Sequence, residues 1–486
     1  MLAFLFRSLA LPTMDTTASK IRRHLDSITR YLTPLLPIAN CHMVEFLTEN
    51  HWETLIPTPL RESLEKRELN DCVEKFWVAA EGKSSGTPEL DAWVQEARAH
   101  YITFNEYTIT ARQLQDRIKA WGGDLQPEIR VSEFMNSKKS YEVQTMSHLV
   151  ASLHKACGAT CCVEAGGGRG HLLAALALGH GVPSLTIDCD PAAVQTAAQR
   201  VRLIQKQWHA IAKRVYNGTE EEMSKNINCD IHRFATAFIT ENTDLTTVVR
   251  EAFPDHDQVK LLLTGLHTCG NLGPDSLRIF RTQPTTAAIF NVPCCYHLLT
   301  EELDEGVFDC FQRNFGTGGK SQGFPMSEYL RGFNLGRNAR MLAAQSIDRV
   351  VSQRQLPVQS LLYRALLQVI IKENRPNSSL PEGKLKRLSK CENFEQYLKM
   401  ADSILNLNLF DSSTRVLSEL YPNIDQQWKK MTLFYLLRLC LAQVIESVIL
   451  LDRLLYLNEN GFDKVFLVKL FDPVLSPRCH SIVAVR

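Results

Sequence analysis

The spacing of apolar positions predicts two kinds of element along this chain. Over residues 18–36, Ile21, Leu25, Ile28, Leu32 and Leu35 fall at helical spacing, with Lys20, Arg22, Arg23 and Asp26 off the stripe. That predicts an amphipathic helix packing on a core. Short helical stretches broken by Pro57, Pro59 and Pro88 continue to about 125, so residues 1–125 read as an N-terminal helical region. A helix expected from near Ser140 carries Val143, Met146, Leu149, Val150 and Leu153 on one face and leads directly into an apolar strand over 161–165. A glycine loop (166–170), an apolar helix (171–178) and a turn (179–183) follow, and a second strand (184–187) ends on Asp188. Val194, Ala198, Val201, Ile204, Trp208 and Ile211 predict the next helix, a polar break covers 217–230, and strands are expected at 233–239, 259–264 and 286–292.

Residues 340–372 repeat the helical pattern, and the polar, basic stretch 374–391 reads as an exposed loop. The leucine-rich segment 431–457 is interrupted by Arg438, Gln443, Glu446, Asp452 and Arg453, so it predicts a buried or half-buried helix and no membrane span. Two strands joined by a Pro-Ser-Pro loop close the chain. Strands alternating with helices predict an α/β fold: a doubly wound, mostly parallel sheet of seven strands, the last antiparallel, beside the N-terminal helical region. This domain spans 126–486, with a helical insertion around 340–430.

The glycine spacing narrows the chemistry. A dinucleotide site needs G-x-G-x-x-G, and counting from Gly166 the third position is His171, so that pattern fails. What stands is E-x-G-x-G-x-G: Glu164, Gly166, Gly168 and Gly170, with Asp188 twenty residues past Gly168, where such units hold a ribose. The pattern resembles motif I of class I S-adenosylmethionine (AdoMet) methyltransferases. AdoMet has no phosphate, so the loop's task is to let backbone pass close to the ligand, which a Cβ would block. Asp190, ahead of Pro191, is expected to cap the following helix. Asn314 to Ser321 ends like a phosphate-binding loop but lacks its first glycine and its strand, which excludes that reading.

Composition adds limits. A formal net charge of +1 gives no global attraction to nucleic acid or anionic membrane, and no DNA partner is expected. Fourteen scattered cysteines without C-x-x-C pairs suggest a reducing compartment, cytoplasmic or nuclear, and no bound metal. The apolar start, with Arg7 and later Lys20, Arg22 and Arg23, keeps a mitochondrial presequence open, although Asp15 and Met14 fit it poorly.

Further elements occur in order. They are Ser137-Lys138-Lys139-x-x-Glu142-Val143, the glycine motif, Gly265-Leu266-His267-Thr268-Cys269-Gly270, Val292-Pro293-Cys294-Cys295-Tyr296-His297, Leu470-Phe471-Asp472-Pro473 and Leu475-Ser476-Pro477-Arg478. Together they resemble the methyltransferase-like protein 25 family, including its ribosomal RNA adenine dimethylase domain-containing relative. More distantly they are similar to a tRNA 2′-O-methyltransferase family. Tyr141, Glu164 and Arg169 stand where the family commonly has His, Asp and Lys. The resemblance implies the class I methyltransferase fold, AdoMet as cofactor and a macromolecular acceptor, RNA or a ribosome-associated component; the alternatives are a protein acceptor or a non-catalytic AdoMet-fold binding module.

Cofactor contacts are expected from Glu164, Gly166, Gly168, Gly170 and Asp188. His267, Cys294, Cys295, Tyr296 and His297 are the acceptor-side candidates, a histidine being suited to take a proton. Lys138 and Lys139, placed against the helix dipole, suggest that they serve an anionic group. Asn291-Val292-Pro293-Cys294 resembles the adenine-clamping loop of N6-adenine dimethylases, but on the fifth strand and ending on Cys294 where that loop ends on an aromatic.

Overall fold

The structure is a computed structural model. It describes residues 16–129, 135–215, 231–255, 258–301, 322–374, 385, 388, 391–406, 408–409, 421 and 423–486. The N-terminal tail, the polar break 217–230, most of the basic loop 374–391 and the Asn314–Ser321 decoy lie outside these residues.

Eight strands form one sheet: β1 (Thr108–Thr110), β2 (Cys161–Ala165), β3 (Ser184–Asp188), β4 (His232–Thr236), β5 (Leu261–Cys269), β6 (Thr286–Cys294), β7 (Lys464–Lys469) and β8 (His480–Val485). Their order is β1-β7-β8-β6-β5-β2-β3-β4. All pairs are parallel except those of β8, which runs antiparallel between β6 and β7. This is the expected seven-stranded class I methyltransferase sheet with its last strand antiparallel. The eighth strand is a correction. Thr108–Thr110, inside the region read as helical, adds to the edge, with Ile109 opposite Val468. Three residues carry no periodicity long enough to separate strand from helix.

Central strands are buried on both faces, and successive residues serve opposite layers. Cys162, Leu262 and Phe290 pack with the helix Ser137–Ala156, through Val143, Met146 and Leu149. Val163, Leu263 and Ile289 face the other layer, where the helix Leu441–Glu459 and the N-terminal helix Thr17–Leu32 meet. That N-terminal helix buries Ile21, Leu25, Ile28 and Leu32, the stripe the sequence predicts, and Thr16 caps it by accepting from Ser19 N at 3.2 Å.

By length and composition, Ile424–Glu459 would pass for a membrane span, yet 89% of its apolar window is buried inside the protein. Two of its polar interruptions find partners there. Arg438 donates to the Ile38 and Ala39 carbonyls, and Asp452 accepts from Met326 N at 2.7 Å and Ser327 N at 2.9 Å.

Leu25→Ala is expected to cost about 2–5 kcal/mol in denaturant unfolding, because it empties a fully buried position between two long helices. Leu203→Ala, at an exposed position, is expected to stay within about 0.5 kcal/mol of the parent.

Candidate functional site at the strand tips

Strand β2 delivers the glycine loop at its carboxyl end, and the loop is tied to β3. Gly166 N and Gly167 N donate to the Ile187 carbonyl at 2.9 and 3.1 Å, and Gly168 N donates to Asp188 Oδ2 at 2.8 Å. Asp188 Oδ1 accepts from Asp190 N at 3.0 Å, so one carboxylate holds the loop and the turn after β3. Each of its oxygens keeps capacity for a further donor. Gly166 has φ +68°, and a Cβ there would lie 2.6 Å from Leu272 Cδ2. Gly168, at φ +52°, is different: a Cβ would meet nothing nearer than Asp188 Oδ2 at 4.0 Å, so its outer face is open. Asp190 accepts from Ala192 N at 2.9 Å, the expected cap.

Glu164 lies beneath this loop, 3% exposed, and its Oε2 has no hydrogen-bond partner among the described residues. Burial pushes its carboxyl up to about 8. Asp188 adds to that rise, while Lys139 and the Leu173 N–H oppose it. A Cβ on Gly167 would sit 2.9 Å from this oxygen, so the glycine also makes room for the acid.

The second part of the site gathers around Glu142, whose side chain is fully buried. Its Oε2 meets His267 Nε2 at 3.1 Å and Lys139 Nζ at 3.0 Å; its Oε1 meets Lys138 Nζ at 3.5 Å and accepts from Ser476 Oγ at 2.7 Å. Burial alone would raise the Glu142 carboxyl. The His267 hydrogen bond and charge, Lys139 and the Ser476 hydroxyl outweigh it and hold the group well below the usual carboxylate range. The helix begins at Ser137, earlier than Ser140, because Asn136 caps it by accepting from Lys139 N at 2.8 Å. Both lysines therefore stand in its first turn, and Glu142, one turn on, is an anionic group they serve. Tyr141 Oη accepts from Asp472 N at 2.9 Å, which ties the C-terminal loop to the same helix.

At the tips of β5 and β6, Cys269, Cys294 and Cys295 converge, with Cys269 Sγ at 3.0 Å from Cys294 Sγ and 3.2 Å from Cys295 Sγ. His267 and His297 flank them in sequence, and both are partly exposed. Tyr296 does not join the acceptor side. It is 1% exposed, and its hydroxyl donates to Glu446 Oε1 at 2.8 Å in a buried network with Arg478. Asn291-Val292-Pro293-Cys294 is also not a loop: all four residues are buried within β6, and Asn291 Oδ1 accepts from Thr268 Oγ1 at 2.9 Å. Sequence reasoning did not single out Glu142 or Ser476 as site residues. The available signal was the position of Glu142, three and four residues after the lysines.

Comparison with known proteins identifies the domain in which these residues lie. Residues 138–302 match the model of a methyltransferase domain, a span that includes the glycine loop, Asp188, His267 and the three cysteines. The chain is similar to "Probable methyltransferase-like protein 25" of Mus musculus, 29% identical over an alignment of 585 residues that covers 95% of this chain and 96% of the relative. The Homo sapiens protein of the same name is 26% identical over 599 aligned residues, covering 96% and 97%. No solved structure matches the chain.

Glu142→Gln tests the hub. A carboxylate held low in the folded protein contributes stability above its unfolded value of 4.5 and loses it as pH falls below that. Urea titrations are expected to show the variant less stable at pH 7 by about 1–3 kcal/mol. The gap should close as pH drops below 4.5.

Proposed function

We propose that this chain, a methyltransferase by its domain and similar over 95–96% of its residues to methyltransferase-like protein 25, uses AdoMet to methylate a macromolecular acceptor, RNA or a ribosome-associated component. One observation carries the cofactor: a buried carboxylate with an unmet oxygen beneath a glycine loop whose outer face is open. A phosphate-bearing nucleotide would bring negative charge to Glu164 and Asp188. AdoMet brings an ammonium and a sulfonium, and when bound it supplies a methyl already activated towards a nucleophile.

Glu164 holds the ammonium, the backbone at Gly166, Gly168 and Gly170 passes the ligand's arm, and Asp188 accepts from the ribose hydroxyls. In its neutral form, with Nε2–H donated to Glu142, His267 keeps Nδ1 to take the acceptor's proton. His297 is a second candidate on the same edge. Positioning carries much of the barrier, about 7–11 kcal/mol for well-oriented partners, so few reacting groups are needed. Lys138 and Lys139 set two cations against one carboxylate on this edge of a nearly neutral chain, which favours an RNA acceptor over a protein one. In this reading the N-terminal region 1–125 covers the acceptor side. The protein works in a reducing compartment, a reading that the twelve free cysteines among the described residues support.

Saturating AdoMet is expected to raise the melting temperature, since a hundredfold excess over Kd stabilises by about 2.7 kcal/mol. Gly168→Val should abolish the shift, and no shift in the parent overturns the cofactor reading. After labelling a cell extract with radioactive AdoMet, counts should fall with RNase; counts that survive RNase but not protease reject RNA as acceptor.

A further inference from the structure

Three cysteines from two strands do not meet by strand geometry alone. Cys269 and Cys294 are register partners across β5 and β6, so their neighbourhood is ordinary. Cys295 follows Cys294 directly, and successive residues on a strand point to opposite faces. Here Cys295 takes φ +50°, a left-handed conformation that is strained for a non-glycine residue. The turn brings its sulfur back to 3.7 Å from Cys294 Sγ and 3.2 Å from Cys269 Sγ. Backbone strain is retained where the surroundings over-determine it, and what it yields here is a third sulfur facing the other two.

We propose that Cys269, Cys294 and Cys295 form a three-thiolate site for zinc, its fourth position open to water at the strand tips. Thiolate sulfur selects soft d¹⁰ ions. With Zn–S near 2.3 Å, tetrahedral sulfurs stand roughly 3.8 Å apart, so small side-chain rotations open this triangle to fit the ion. Cys294 is buried while Cys269 is exposed, which gives the ion an entry side and leaves the fourth position towards solvent. Three ligands with one open position is the pattern of reactive zinc sites, whereas structural sites close with four.

Charge supports the assignment. Three thiolates and Zn²⁺ sum to −1, and Arg453, 1% exposed, acts electrostatically on Cys294 from behind. Its Nε and Nη1 have no hydrogen-bond partner among the described residues, and Tyr296 and Asp452 act on its charge ahead of Cys294. On binding, the three thiols release their protons to solvent. The site does not rest on the AdoMet reading.

The test uses the full chain, untagged and purified under reductant without chelator. Elemental analysis is expected to find about one zinc per chain. Replacement by Co²⁺ should give thiolate-to-cobalt charge transfer and tetrahedral d–d bands. Cys269→Ser and Cys295→Ser are each expected to weaken zinc at least about tenfold in chelator competition and to lose the cobalt spectrum, while Cys391→Ser keeps both. Circular dichroism of the serine variants separates ligand loss from unfolding; if they unfold, the cobalt titration is read on the chelator-stripped parent. Failure of that parent to bind zinc or cobalt overturns the proposal, as does a disulfide mapped within the trio. Neither outcome touches AdoMet binding, which is measured without metal.

Discussion

Burying a carboxylate costs several kcal/mol unless its oxygens are met, and Glu164 is buried with one oxygen unmet. The chain tolerates this at the end of the strand that delivers the glycine loop. The acid answers the cost by holding its proton up to about 8. Much of the neighbouring structure follows from keeping that position dry yet reachable. Gly167 makes room beside it, Asp188 fastens the loop through Gly168 N at 2.8 Å, and Gly168 keeps an open outer face.

The second centre, Glu142, is built in the opposite way. Two lysines, a histidine and a serine surround the carboxylate, so it stays ionised. Its partners come from three distant parts of the chain: the helix before β2, the tip of β5 and the loop between β7 and β8. The antiparallel last strand has a functional consequence here, because the turn that reverses it brings Ser476 back over the site. Lys139 joins the two centres, bonding to Glu142 while its charge also acts on Glu164. A change at Glu142 is therefore felt under the loop.

Where a signal was local and periodic, the sequence carried it. The stripe of Ile21, Leu25, Ile28 and Leu32, the strand–loop–helix unit around Gly166 and the Asp190 cap all stand as read. Polar breaks at Arg438 and Asp452 marked a core helix, and both find protein partners. What escaped depends on distant parts of the chain meeting. Three residues of β1 gain strand identity only by pairing with β7. Tyr296 looked like a site residue because it sits among Cys294, Cys295 and His297, yet Glu446, 150 residues on, draws its hydroxyl into the core. The cysteine trio was set aside as a metal set for the same reason: its members are not spaced as a chelating motif and meet only through strand register and one left-handed residue.

Calorimetry of AdoMet binding at pH 7, in buffers of different ionisation enthalpy, tests the central claim most directly. Glu164, held at about 8 by burial, is mostly protonated in the empty protein at that pH. The ligand's ammonium and sulfonium would draw its proton off. Binding to the parent chain should release a quantity of protons approaching one per site, and Glu164→Gln should bind more weakly and release fewer. Equal affinity and equal proton release in parent and variant would contradict the account.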